Sequence, residues 1–284
     1  MERFWASAAV AVLFFMGCGV DLAPELEVEG LIRVGVAAQP PAFIVEKGSG
    51  ELGGVYPDMV RDLGLYLNRE TGLRLFREEY LPEAVRSGQV DVAFLLSPSQ
   101  EREAFGLAFS QPFAWLGLGF LTGPDSELDG VEDLNAEGMA VVVIRESRAD
   151  PFVRTALPLA LVRVVDDLHE AVDAVLAEEV QAFVHDSLSL FDLVEAKGAR
   201  LRVVLLPFRR VGVLSAVRED NEALLEALND FLHDYRAIGG FDRLADRYFA
   251  EALEAFEVQG ADFLFAPPER VVIDDSDPVP FLSE

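Results

Sequence analysis

The chain has 284 residues, 51% of them hydrophobic, and a formal net charge of -27. That length accommodates two domains with a core in each. The charge excludes a nucleic-acid partner, because phosphate binding needs clustered cations and the only lysines are Lys47 and Lys197; the excess of Asp and Glu reads first as a solvated acidic surface.

Arg3 precedes an apolar run, Phe4 to Met16, which is too short to span a bilayer and has the length of a secretory h-region. Cys18 is the single cysteine and forms no internal disulfide. Two readings stand side by side: an ordinary cleaved signal, or acylation of Cys18. The second follows from Phe15-Met16-Gly17-Cys18, which resembles the lipobox of bacterial lipoproteins with Phe where the pattern prefers Leu. On that reading residues 1–17 are a signal peptide and 18–30 an acidic tether.

Leu31 to Ala38 reads as a strand buried on both faces and stopped by Pro40-Pro41. Pro57 to Thr71 has the apolar stripe of an amphipathic helix, with Pro57 in its first turn and Gly72 as its stop. Leu73 to Glu78 is a second strand, Pro82 to Arg86 a short helix and Val90 to Leu96 a third strand. That third strand runs into Ser97, Ser99 and Arg102, so it presents hydroxyls and a guanidinium at a strand end, where α/β sheets collect ligands.

A second unit starts near Thr122, with strands at Met139 to Ile144, Leu161 to Val165, Val180 to Val184 and Arg202 to Leu205, and a helix at Leu168 to Ala177. Pro207 closes it. Gly212 to Val217 is strand-like, Asn221 to Ile238 is a long amphipathic helix capped by Gly239-Gly240, and Phe241 to Phe256 is a further helix. Residues 257–284 read as an acidic C-terminal tail, poorly ordered or laid along the surface. The alternation of strand and helix predicts parallel strands joined by right-handed crossovers. His169, His185 and His233 are scattered and no glycine-rich phosphate loop occurs, so neither a metal nor a cofactor is expected. His185-Asp186-Ser187 cannot converge as a catalytic triad.

The order of pieces resembles a known family. LIRVGV with its Pro-Pro turn, Gly54-Val55-Tyr56-Pro57-Asp58, SGQVDVAFLLSPSQER from Ser87, Phe109-Ser110-Gln111-Pro112-Phe113, VQAFVHDS from Val180 and Arg247-Tyr248-Phe249 are together similar to the bacterial extracellular solute-binding proteins of family 3, over roughly Leu31 to Phe249. The resemblance implies an α/β, two-lobed, periplasmic-binding-protein-like (type II) fold with two crossover hinge strands, near Phe113 to Leu121 and Leu205 to Val213. Lobe 1 would comprise 31–116 and 210–256, and lobe 2 would comprise 117–209.

It further implies a non-enzymatic, monomeric, extracytoplasmic receptor that closes on a small carboxylate-bearing solute, an amino acid or a relative, and delivers it to an ABC transporter permease. Arg102 would take the α-carboxylate bidentately, the competing reading being a surface ion pair with Glu101 or Glu103. Ser99 would add its hydroxyl or backbone N–H, and the backbone of Ser97 would accept from an ammonium group. Asp186 either pairs with the ammonium or caps a helix starting near Ser187.

Ser147 belongs to the opposing jaw, and Phe43 and Tyr80 are candidate aromatic contacts, Tyr80 as a ring facing a cation. Three departures from the family pattern bear on the ligand: Ala42 directly after the proline pair, a shortened loop before Pro82, and Glu146 where a glycine is usual. Two other readings are a dehydratase of the prephenate or arogenate type, for which Glu146 is the candidate acid, and a ligand-sensing lobe without transport.

Overall fold

A computed structural model of the chain describes residues 30–37, 44–45, 52–96, 105–145, 147, 149–197 and 200–266. The sequence expectations for Cys18, Phe43, Ser97, Ser99 and Arg102 fall outside these residues. Eleven strands are described: β1 Ile32–Ala37, β2 Ile44–Val45, β3 Leu52–Gly53, β4 Thr71–Phe76, β5 Val92–Leu96, β6 Leu107–Phe109, β7 Ala114–Thr122, β8 Ala140–Ile144, β9 Leu161–Val165, β10 Ala182–Asp186 and β11 Arg202–Arg218. The helices are α1 Val55–Leu67, α2 Leu81–Arg86, α3 Val131–Leu134, α4 Ala149–Ala156, α5 Leu168–Leu176, α6 Ser187–Lys197, α7 Glu222–Ala237, α8 Gly240–Tyr248 and α9 Ala250–Val258.

Nine strands form one continuous sheet in the order β4-β1-β5-β11-β7-β10-β8-β9, with β6 on β11. In the first half, β1 runs parallel to β4 and β5; in the second, β8 runs parallel to β9 and β10. Helices cover both faces. Along β8, Val142 packs into one core cluster while Val141 and Val143 pack into another, which is why this strand reads as an unbroken apolar run. In the first half α1, α7 and α8 lie against one face and α2 against the other.

Among the described strands, only β7 and β11 run through both halves. They pair antiparallel from Arg202↔Thr122 to Val213↔Ala114, with a register shift between Val204 and Arg209. Sequence reading ended the second unit at Pro207. The structure instead carries one 17-residue strand through it, and the shift in pairing falls where a residue without an N–H cannot donate to the ladder.

Three more boundaries differ from expectation. The first helix stops at Leu67 because Asn68 takes a left-handed φ of 49°, a conformation Asn tolerates, and Gly72 lies inside β4 opposite Arg33. The last helical stretch is two helices broken at Phe249, whose φ of -138° is not helical. Residues 257–266 are not a free tail: α9 runs to Val258, and Phe263 and Phe265 are 7% and 5% exposed. The cap at Gly239 matches expectation, with φ 70° between α7 and α8.

Two polar latches join distant parts of the chain. Asp91 accepts from the Arg33 backbone and from both Nε and Nη2 of its side chain, at 2.8, 2.9 and 2.6 Å, tying the starts of β1 and β5. Asp58, 6% exposed in α1, accepts from Arg61, Arg247 and Tyr248, each at 2.7 Å. The Gly54 to Asp58 segment and the Arg247-Tyr248-Phe249 segment are thus two sides of one contact.

Candidate functional site

The register of the sheet locates the site. Leu96, the last residue of β5, lies opposite Val213 of β11, and Val213 pairs with Ala114 of β7. Asp186, the last residue of β10, lies opposite Leu118 of β7. The carboxyl ends of β5 and β10 therefore point toward the same short stretch of crossing strand, four residues apart or about 13 Å at the rise of a strand. Strand ends facing each other across a crossing pair define a cleft, and Ser97, Ser99 and Arg102 come next in the sequence after β5.

Asp186 is a quarter exposed and uses Oδ1 to accept from the Ser189 backbone N–H at 2.9 Å. It therefore caps α6, one of the two roles open to it. Its other oxygen is directed elsewhere, 3.2 Å from His185 Nδ1. The Asp186 backbone N–H also lies on His185 Nδ1, at 2.8 Å.

Asp192, on α6, was not legible as a site residue. Although the residue as a whole is exposed, burial around its carboxyl first and the Asp186 charge second push that carboxyl above its ordinary value. No motif marks it. Its relation to Asp186 appears only once α6 is placed.

Ser147 follows β8, whose Val142 pairs with Phe183 of β10. The Ser147 hydroxyl is buried without a hydrogen-bond partner among the described residues. A buried hydroxyl left unpaired costs about 1–3 kcal/mol, a cost that a bound polar group would relieve. Tyr80 ends a 3-10 turn after β4, two strands out from β5, and is 54% exposed. Its ring faces a cation from the protein itself, the Arg77 guanidinium at 5.8 Å. Asp186 ends β10 and Ser147 follows its parallel neighbour β8, whereas Tyr80 lies after β4 in the other half of the sheet.

At the hinge, the Ser187 hydroxyl donates to the Gly117 carbonyl at 3.0 Å, so the start of α6 is tied to the crossing strand. An α/β sheet of two halves, joined by two crossing strands with facing strand ends, is the two-lobed fold of periplasmic binding proteins. The chain belongs to the bacterial extracellular solute-binding proteins, family 3, which it matches over residues 32–251. It is 24% identical over 227 residues to the L-cystine-binding protein TcyJ of Escherichia coli (strain K12), covering 79% of this chain and 85% of that protein.

Among solved structures, an ancestral arginine-binding protein bound to arginine superposes with a TM-score of 0.60 at 24% identity, covering 78% of this chain and 99% of the other. The L-cystine solute receptor of Neisseria gonorrhoeae in its unliganded open conformation gives 0.65 at 18% identity, covering 78% and 93%.

Proposed function

We propose that the chain is the solute-binding component of an ABC-type importer, held outside the cytoplasmic membrane by a lipid on Cys18, and that it takes an amino acid between its lobes. Lobe 1 is 31–116 with 210–256, and lobe 2 is 117–209. Arg102, with Ser99, receives the carboxylate; the backbone of Ser97 and the Asp186 oxygen not engaged in capping α6 receive the ammonium; Ser147 adds its hydroxyl from the second lobe. The observation that carries this reading is the convergence of the β5 and β10 ends on one stretch of β7, with Asp186 at one of them. Relatives that bind cystine and arginine support an amino acid as the solute.

The test is thermal unfolding with L-arginine or L-cystine added. A ligand at one hundred times its Kd stabilises the native state by about 2.7 kcal/mol, so one of the two should raise the melting temperature of the wild type. Arg102→Ala should abolish that shift, because a buried ligand carboxylate would lose its charge partner. A melting shift that Arg102→Ala leaves intact would place the carboxylate elsewhere.

A further inference from the structure

The family match ends at residue 251, yet the chain beyond it is built into the crossing strands. Gln259 straddles two residues of β11: its Oε1 accepts from the Leu205 N–H at 3.0 Å and its Nε2 donates to the Val203 carbonyl at 3.2 Å. Seven residues later along the chain, on the other side of the register shift between Val204 and Arg209, Arg210 grips the same C-terminal segment. Its guanidinium donates to Asp262 at 3.0 Å and to the carbonyls of Phe263 and Ala266 at 3.1 and 3.2 Å.

The other crossing strand is held as well, since the Trp115 N–H donates to the Leu264 carbonyl at 2.8 Å. Arg236 of α7 then donates to the Phe265 carbonyl at 2.7 Å and to the Phe113 carbonyl at 2.9 Å. Aromatic packing seats the segment: Phe263 lies edge-on to Phe256 at 5.2 Å, and Phe265 stacks on Phe241 at 5.2 Å.

We propose that residues 259–266 are a splint across the hinge, fastened to β11 on both sides of its irregularity and to β7, which restricts the angle between the lobes and so regulates solute affinity. The regulatory part rests on the cleft being the solute site; the mechanical part does not. Rotation about the crossing strands must change the spacing between Val203 and Arg210. The splint spans that spacing with directional bonds that lose strength when their geometry is distorted. Closure then strains or breaks the Gln259 bonds, and that difference between the two lobe angles is what biases the equilibrium.

The experiment measures the lobe angle without ligand. Labels are placed at Glu226→Cys on α7 and Asp173→Cys on α5, both exposed, in a Cys18→Ser background, and single-molecule energy transfer is recorded. The intact splint should give one narrow population, and Gln259→Ala should spread it or add a second. An unchanged distribution in a Gln259→Ala protein that melts cooperatively overturns the proposal.

If Gln259→Ala does not fold, Asp262→Asn carries the same readout, because it weakens only the Arg210 contact of a half-exposed carboxylate. From residue 18 onward Trp115 is the only tryptophan, and its acrylamide quenching should rise in either variant. Millimolar L-arginine added to the wild type separates the two readings: a splint-dependent distribution that ignores the ligand supports the splint while counting against the arginine reading of the cleft.

Discussion

Asp58 shows how one residue can hold two ends of a chain together. Burial pushes its carboxyl up, but bonds from Tyr248, Arg247 and Arg61 outweigh that and hold it below its ordinary value of 3.8. A carboxyl depressed in the folded state stabilises fully above its unfolded value and loses that contribution as pH falls through the folded one. Asp58→Asn should therefore cost about 1–3 kcal/mol near neutral pH, and the gap to wild type should shrink once the pH drops below 3.8. Urea midpoints at neutral and acid pH check this; a gap independent of pH would mean that Arg247 and Tyr248 hold a neutral side chain equally well. The two segments that meet at Asp58 were both visible in the sequence. Their contact, across 189 and 190 residues, was not, because nothing in either segment names its partner. Asp186 shows the complementary case: a carboxylate at a strand end before a helix was legible, and the capping role is the one observed, through Oδ1.

At the scale of elements, the crossing pair is closely packed at Gly119. A Cβ added at Gly119 would stand 2.4 Å from the Val204 carbonyl oxygen and 3.1 Å from Ser187 Oγ. Both obstacles belong to structures fixed on either side of β7, one of them backbone. Gly119→Ala should cost about 1–3 kcal/mol through overpacking, read as a lower denaturant midpoint with an unchanged slope. An unaltered midpoint would show that β7 and β11 separate freely at this point. Most elements were legible because their strands are buried on both faces and their helices carry one apolar stripe; the limits of β9 matched the sequence reading residue for residue. What was misread has one physical source, the overriding of local signals by tertiary contacts. Pro207 looks like a stop, but a crossing strand absorbs it in an irregularity. Phe241 to Phe256 looks like one helix, but the buried Phe249, packed 5.6 Å from Phe263, breaks it. Phe263 and Phe265 sit in an acidic, proline-bounded stretch that resembles a tail, and only the aromatic sockets on α8 and α9 explain their burial.

For the whole molecule, the charge of -27 constrains how the protein stays where a binding protein must work. Anionic lipid surfaces attract polybasic segments and repel an acidic protein, and no cluster of cations offsets the excess of Asp and Glu. Among the described residues no helix is long and apolar enough to cross a membrane. Buried hydrocarbon holds a protein to a bilayer at about 0.8 kcal/mol for each CH₂ inserted, and the proposed acylation of Cys18 would supply it. This gives the anchor a signature distinct from peripheral binding. Wild-type protein should partition into the detergent phase and stay with membranes at low and high salt alike, because hydrocarbon burial is not screened, whereas Cys18→Ala should move to the aqueous fraction under both conditions. Release of the wild type by salt would point to an electrostatic attachment instead, and equal partitioning of the two proteins would remove the lipid from the account and leave a cleaved, freely diffusing receptor.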